Sequence, residues 1–178
     1  MQSLMTADEL LRLRRPGKRT ELVRGALIVR EPAGYLHGEV VAELAHRLMS
    51  HVKANDLGRV LAAETGFKLA SDPDTVRAPD VAFIRKERLP DPAPAGYAEL
   101  APDLVVEVLS PDDRPGEVLA KVAEWLEAGV RLVWVVDPQR RVARVYRADG
   151  SESILSGDDI LNGEDVVPGF SCRLETIL

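Results

Sequence analysis

Apolar residues follow two different periods along this chain, and the switches between them outline its elements. Over 37–53, Val40, Val41, Leu44, Leu48 and Val52 share one stripe, which predicts an amphipathic helix. Before it, Thr6 to Glu9 reads as a T-x-x-E capping box opening a short helix with Leu10, Leu11 and Leu13 on its apolar side, ended by Pro16-Gly17. Residues 21–23 and 26–29 flank Arg24-Gly25 as a hairpin would. Residues 59–69 predict one long strand and 81–84 the next, followed by a Pro-rich loop over 85–101 whose length suggests a functional or mobile segment. Residues 104–110 predict a strand covered on both faces. Ser110, Pro111, Asp112 and Asp113 then offer capping groups for a helix to about Ala128, with Gly129 at its end. Strands are expected over 131–136, 142–147 and 153–155, the last two paired across Asp149-Gly150, with short strands around Pro168-Gly169. The middle of the chain therefore runs helix, strand, strand, strand, helix, strand, the pattern of an α/β fold with a mixed sheet.

One position breaks the apolar pattern. Glu107 sits among Leu104, Val105, Val106, Val108 and Leu109. A glutamate is almost never fully buried unless it is paired or binds a cation. Asp103 lies on the same face but roughly 13 Å away, at about 3.3 Å per residue, whereas magnesium ligands sit at about 2.1 Å from the ion. Asp80 is the better partner, because it opens the strand over 81–84, which can neighbour the Glu107 strand and let two carboxylates converge on a hard cation. Lys121 is the other candidate. On the wheel of its helix, Val118, Leu119, Val122, Trp125 and Leu126 form the buried arc. Lys121 falls about 40° beyond Trp125, at 100° per residue. Two readings of it stand: a snorkelling border lysine, or an ammonium reaching Glu107. Two acids and a lysine around a sheet suggest a metal-dependent phosphodiesterase site.

The other candidates divide in the same way. His37 falls on the apolar stripe of the long helix, as a core or cap residue or as a site residue facing the sheet. Glu21 lies in the hairpin, as a structural acid or one lining the site. Ser110 reads as a helix cap. Glu117 and Glu124 read as solvated, Glu39 points away from the stripe, and His46 and His51 read as surface. Three histidines without metal spacing argue against a zinc hydrolase, and no G-x-S-x-G, P-loop or Rossmann glycine pattern occurs.

Composition narrows the setting. With 178 residues, 46% hydrophobic and 29% charged, the chain has the length and make-up of one domain over 1–178. No apolar run approaches the roughly 18 residues that span a bilayer, the N-terminus lacks a signal-peptide core, and Cys172 is the one cysteine. A cytoplasmic location with no membrane partner is the expectation. The net charge of −6 supplies no global field for nucleic acid. The arginines over 12–19 and 140–147 offer local basic surface or a solvated face. Apolar strands in the second half make a homodimer an expectation to test.

At these residues the chain resembles a known family. The stretches MTADELLRL and TELVRGALI (5–13 and 20–28), His37 opening a helix, APD (78–80), PDLVVEVLSPDDR (102–114), Lys121, AGVRLVWVVDP (128–138) and VPGFSCRL (167–174) are similar to the Uma-type restriction-endonuclease-like proteins. That family belongs to the PD-(D/E)xK nuclease superfamily. The resemblance implies a restriction-endonuclease-like αβββαβ core, a mixed sheet flanked by helices, with an N-terminal helix-hairpin and a C-terminal β extension. It also implies a nuclease acting on DNA, with Asp80 and Glu107 binding Mg2+ or Mn2+ and Lys121 as the catalytic lysine. The superfamily often places that lysine two residues after the second acid, where this chain has Leu109; the family moves it to the following helix. His37 and Glu21 fall on family-typical positions. Thr20, Arg24 and Ala26 depart from the family's first motif. Two alternatives stand beside the nuclease: a catalytically silent nuclease-fold protein that binds nucleic acid or a protein partner, and a metal-dependent hydrolase of a small phosphorylated compound.

Overall fold

The computed structural model describes residues 4–178. Its N-terminal helix α1 (Ala7–Arg12) starts from the expected capping box: the Thr6 hydroxyl accepts from the Glu9 N–H, and the Glu9 carboxylate accepts from the Thr6 N–H. Strands β1 (Arg19–Val23) and β2 (Ala26–Arg30) form the predicted hairpin. Both turn residues are left-handed, with φ 48° at Arg24 and 76° at Gly25, as a two-residue hairpin turn requires. Helix α2 (Tyr35–Ala54) follows.

The long strand expected over 59–69 does not exist. Strand β3 (Gly58–Ala62) ends at a turn with left-handed Glu64 (φ 69°), and β4 (Phe67–Ala70) continues in a different sheet beside β5 (Thr75–Arg77). Apolar residues flank the turn on both sides, over 60–63 and at Phe67 and Leu69, so hydropathy carries no sign of the change of sheet, and Glu64-Thr65-Gly66 marks the break.

Strands β6 (Val81–Arg85), β7 (Leu104–Val108), β8 (Leu132–Asp137), β9 (Val142–Arg147) and β10 (Glu152–Ser156) complete a six-stranded sheet in the order β10-β9-β8-β7-β6-β3. Its one parallel pair, β7 with β8, is bridged by helix α3 (Pro115–Glu127). The sheet is therefore mixed, and α2-β3-β6-β7-α3-β8 is the expected αβββαβ order, with β4 and β5 inserted after β3. The second sheet runs β2-β1-β5-β4, and a small pair of β11 (Ile160–Asn162) and β12 (Ser171–Arg173) forms the C-terminal extension. The segment over 85–101 is not featureless: a 3-10 turn spans Lys86–Arg88, and Ala98 bridges to Phe67.

Each face of the large sheet buries its own core. Val40, Leu44, Leu48 and Val52 of α2 pack on Val81, Phe83, Leu104, Val106 and Trp134. Val122 and Trp125 of α3 pack on Ala82, Val105, Val133 and Val135. Fully burying one such side chain contributes roughly 1.5–3 kcal/mol. Helix α3 departs from expectation at its start. Its N-cap is Arg114, without a side-chain cap, and Pro115 occupies the first turn. Ser110 does not cap it; the Ser110 N–H donates to Asp113, closing a turn upstream. Gly129 (φ 102°) ends the helix, with the N–H of Val130 returning to the Trp125 carbonyl at 3.0 Å. Among the described residues, no helix is long and apolar enough to cross a membrane.

Candidate active site

Strand alternation in β7 points Leu104, Val106 and Val108 at the α2 core, leaving Val105 and Glu107 on the α3 face. Across the antiparallel β6–β7 pair, Val81 faces Val106, so one further step sets Asp80 beside Glu107. The Asp80 N–H donates to the Val106 carbonyl at 3.1 Å, and the Val108 N–H donates to Asp80 Oδ2 at 2.8 Å, so the carboxylate itself prolongs the ladder. Directly opposed residues have Cβ atoms about 4.5–5.5 Å apart. The two acids of the sequence reading thus stand side by side at one end of the sheet.

The smaller sheet and both long helices close around them. Helix α2 contributes His37 from its first turn, with Nε2 3.2 Å from Asp80 Oδ2. Strand β1 contributes Arg19 and Glu21, two residues apart and on the same face; Arg19 Nη2 donates to Asp80 Oδ1 at 3.0 Å. Lys121 on α3 reaches both remaining acids, with Nζ 2.9 Å from Glu107 Oε1 and 3.2 Å from Glu21 Oε1. Of the two readings of Lys121, the reaching ammonium is the observed geometry. These six side chains line one cleft of about 430 Å³.

Behind the cleft lies a layer absent from the sequence reading. Arg77 on β5 donates to Glu21 at 3.0 Å and to Glu124 at 2.7 Å, and the Ala78 N–H also donates to Glu21. Glu124, expected to be solvated, is therefore the outer partner of a buried arginine. The Trp125 indole N–H donates to Glu107 Oε1 at 2.9 Å. A buried tryptophan usually needs such an acceptor, and that was the available signal for this contact. Nothing in the local pattern marked Arg77, because its partners come from two distant elements. Arg19 is the one arginine of 12–19 found here; Arg140 and Arg147 are engaged by Asp137 and Glu164.

Electrostatics separate the three acids. Burial pushes the Glu107 carboxyl up to about 7; Asp80 and Glu21 add to the rise, and Lys121 only partly offsets it. Burial acts on Glu21 too, but Lys121, Arg77 and the Ala78 N–H hold it below the usual carboxylate range. Asp80 is likewise held low against its burial, first by His37 and then by the Val108 N–H and Arg19. Burial would discharge Lys121, yet Glu107 and Glu21 raise it. Of these groups, Glu107 is the acid poised near neutrality.

Could this donor set hold a metal? Asp80 and Glu107 offer carboxylate oxygens, the donors preferred by magnesium and manganese. Among the described residues, no three His, Cys, Asp or Glu side chains are grouped to hold an ion. Magnesium is commonly held by one or two carboxylates while keeping several waters, so a two-carboxylate set fits it and a zinc-type set does not.

The sequence pattern of Uma2, described as "Putative restriction endonuclease", matches residues 7–175. The chain belongs to the Uma2 family. A solved structure from Anabaena variabilis, described as "a putative nuclease belonging to DUF820", shares this Uma2 chain's fold with a TM-score of 0.84 over 97% of both chains, at 22% identity. No curated protein matches the chain.

Proposed function

We propose that this Uma2 chain is a single restriction-endonuclease-like domain over 1–178 that hydrolyses phosphodiester bonds in DNA with Mg2+ or Mn2+. The observation that carries the reading is the pairing of Asp80 with Glu107 on adjacent strands, with the Lys121 ammonium 2.9 Å from Glu107 in one cleft. Asp80 and Glu107 would hold the ion, which when bound would supply Lewis-acid polarisation of a phosphate and acidify water. Lys121 orients the attacking water and offsets charge on the phosphate. His37 holds Asp80 Oδ2, and Glu21 is a second anchor for Lys121 beside Glu107. Family membership and the shared fold support the nuclease class.

A second reading draws on a separate observation. The three cleft acids are already matched by Arg19, Arg77 and Lys121 within the protein. A catalytically silent member that binds nucleic acid or a protein partner would look the same.

Incubation of plasmid, linear and single-stranded DNA with purified protein and Mg2+ or Mn2+ separates the two. Metal-dependent cleavage is expected, and Glu107→Ala and Lys121→Ala should each lower it by at least about a hundredfold, the scale of losing one charge-stabilising group. Cleavage that survives both substitutions would sink the site assignment. No cleavage of any nucleic acid, together with no Mn2+ binding, would establish the silent reading.

A further inference from the structure

We infer that Arg19 stands in for the cation at Asp80 and transfers to a DNA backbone phosphate when the cation binds, coupling metal loading to DNA binding. The inference rests on the metal reading above.

The two oxygens of Asp80 are held differently. Oδ2 accepts from the Val108 N–H at 2.8 Å and lies 3.2 Å from His37, so the scaffold retains it. Among the described residues, Oδ1 has one partner, the Arg19 guanidinium at 3.0 Å. A buried carboxylate stripped of its positive partner is costly. The Asp80 side chain is only 2% exposed, so it needs a positive partner whether or not a cation is bound. Arg19, 24% exposed and at the first residue of β1, is a partner that can leave.

The surroundings supply a destination. Arg19 pairs in register with Arg30 of β2, and like charges directly opposite each other destabilise a strand pair. Each arginine is therefore drawn to an anion. Lys18, Arg19 and Arg30 all line the cleft. Lys18 is held by exposed Glu31, and Arg30 by Asp113 and Glu117 at the surface; of the three, Arg19 alone is tied to a buried acid. A guanidinium fork released beside two further cations matches a phosphodiester. Lys121 is not equivalent, because it also bridges to Glu21 and keeps a partner when Glu107 takes another cation.

Calorimetric titration of the metal-free protein with Mn2+ tests the exchange. Arg19→Gln should bind Mn2+ between about 5-fold and 150-fold more tightly than wild type, the usual span of coupling between sites. Arg19→Lys, which keeps the charge without the fork, should fall between the two and serves should Arg19→Gln fail to fold. Asp80→Asn should not bind. Unchanged or weaker affinity in the Arg19 variants, with binding lost in Asp80→Asn, overturns the inference and leaves the metal reading standing. Binding that survives Asp80→Asn, or no binding in any of these proteins, overturns both. A phosphorothioate DNA oligonucleotide tests the second half: Mn2+ should strengthen its binding to wild type. In Arg19→Gln that gain should vanish and the salt slope fall by about 1. A gain preserved in Arg19→Gln overturns the transfer to phosphate.

Discussion

The two ends of β7 each bury an acid, and they treat it in opposite ways. Asp103 precedes the strand. Its carboxylate accepts from the Arg85 N–H at 2.8 Å and from Arg88 at 2.7 Å, and its backbone carbonyl takes the N–H groups of Arg131 and Leu132. None of these donors bonds to a second acid, although Arg88 also donates to the Ala101 carbonyl, and together they tie β6, the 3-10 turn and β8 to the strand. Glu107, near the other end, shares its cation with Glu21, stands beside Asp80 and opens on the cleft. Burial alone therefore does not mark a functional acid. An acid with its own donors fastens the fold; acids that compete for cations in a cleft hold charge available for a ligand.

The largest expected effect breaks the Glu107 end. Lys121→Met leaves Glu107 buried without its cation and should cost about 3–5 kcal/mol of stability at pH 8, measured by urea denaturation. A much smaller loss would mean that Lys121 is not the group holding the cleft acids.

Second comes the pH dependence. Glu107 is raised from 4.5 to about 7 in the folded protein. Its contribution is complete below 4.5 and is lost as the pH rises through about 7, which amounts to about 3 kcal/mol at 1.36 kcal/mol per unit. Glu21 and Asp80, both held low, act in the opposite direction: their contribution is present above their ordinary values and lost as the pH falls below them. Glu107→Gln removes the first effect and leaves both Glu21 and Asp80 in place. The metal-free variant should thus gain stability relative to wild type between pH 5 and pH 8. A difference that stays flat over that range would show that Glu107 does not carry the raised proton affinity.

The smallest effect tests the Asp103 end. Arg88 is 39% exposed, and Asp103 keeps the Arg85 N–H without it. Arg88→Met should cost about 1 kcal/mol, the scale of one hydrogen bond to a charged group partly screened by water. A loss matching that of Lys121→Met would erase the contrast between the two ends.

Much of the molecule is legible in residue order alone. The stripe of Val40, Leu44, Leu48 and Val52 determines α2, because a period of 3.6 residues has to lie against one apolar surface. The run around Leu104–Val108 determines a strand covered on both faces, and the single acid within it demands a partner. Strand spacing excludes Asp103 from that role and points to Asp80, while the helical wheel brings Lys121 to the edge of the buried arc. Each of these features depends on neighbours a few residues apart or on one element at a time. Other features depend on how elements meet. The register of β6 against β7 decides that Asp80 stands beside Glu107. The turn at Glu64 sends β4 and β5 into a second sheet, and only then do Glu21 and Arg77 face each other, with Glu124 behind them. Arg19 sits 61 residues from Asp80 along the chain, so no local periodicity could bring them together. Charge pairing is set by distance in space and by exclusion of water, and both exist only once the two sheets and the two long helices have closed around the cleft.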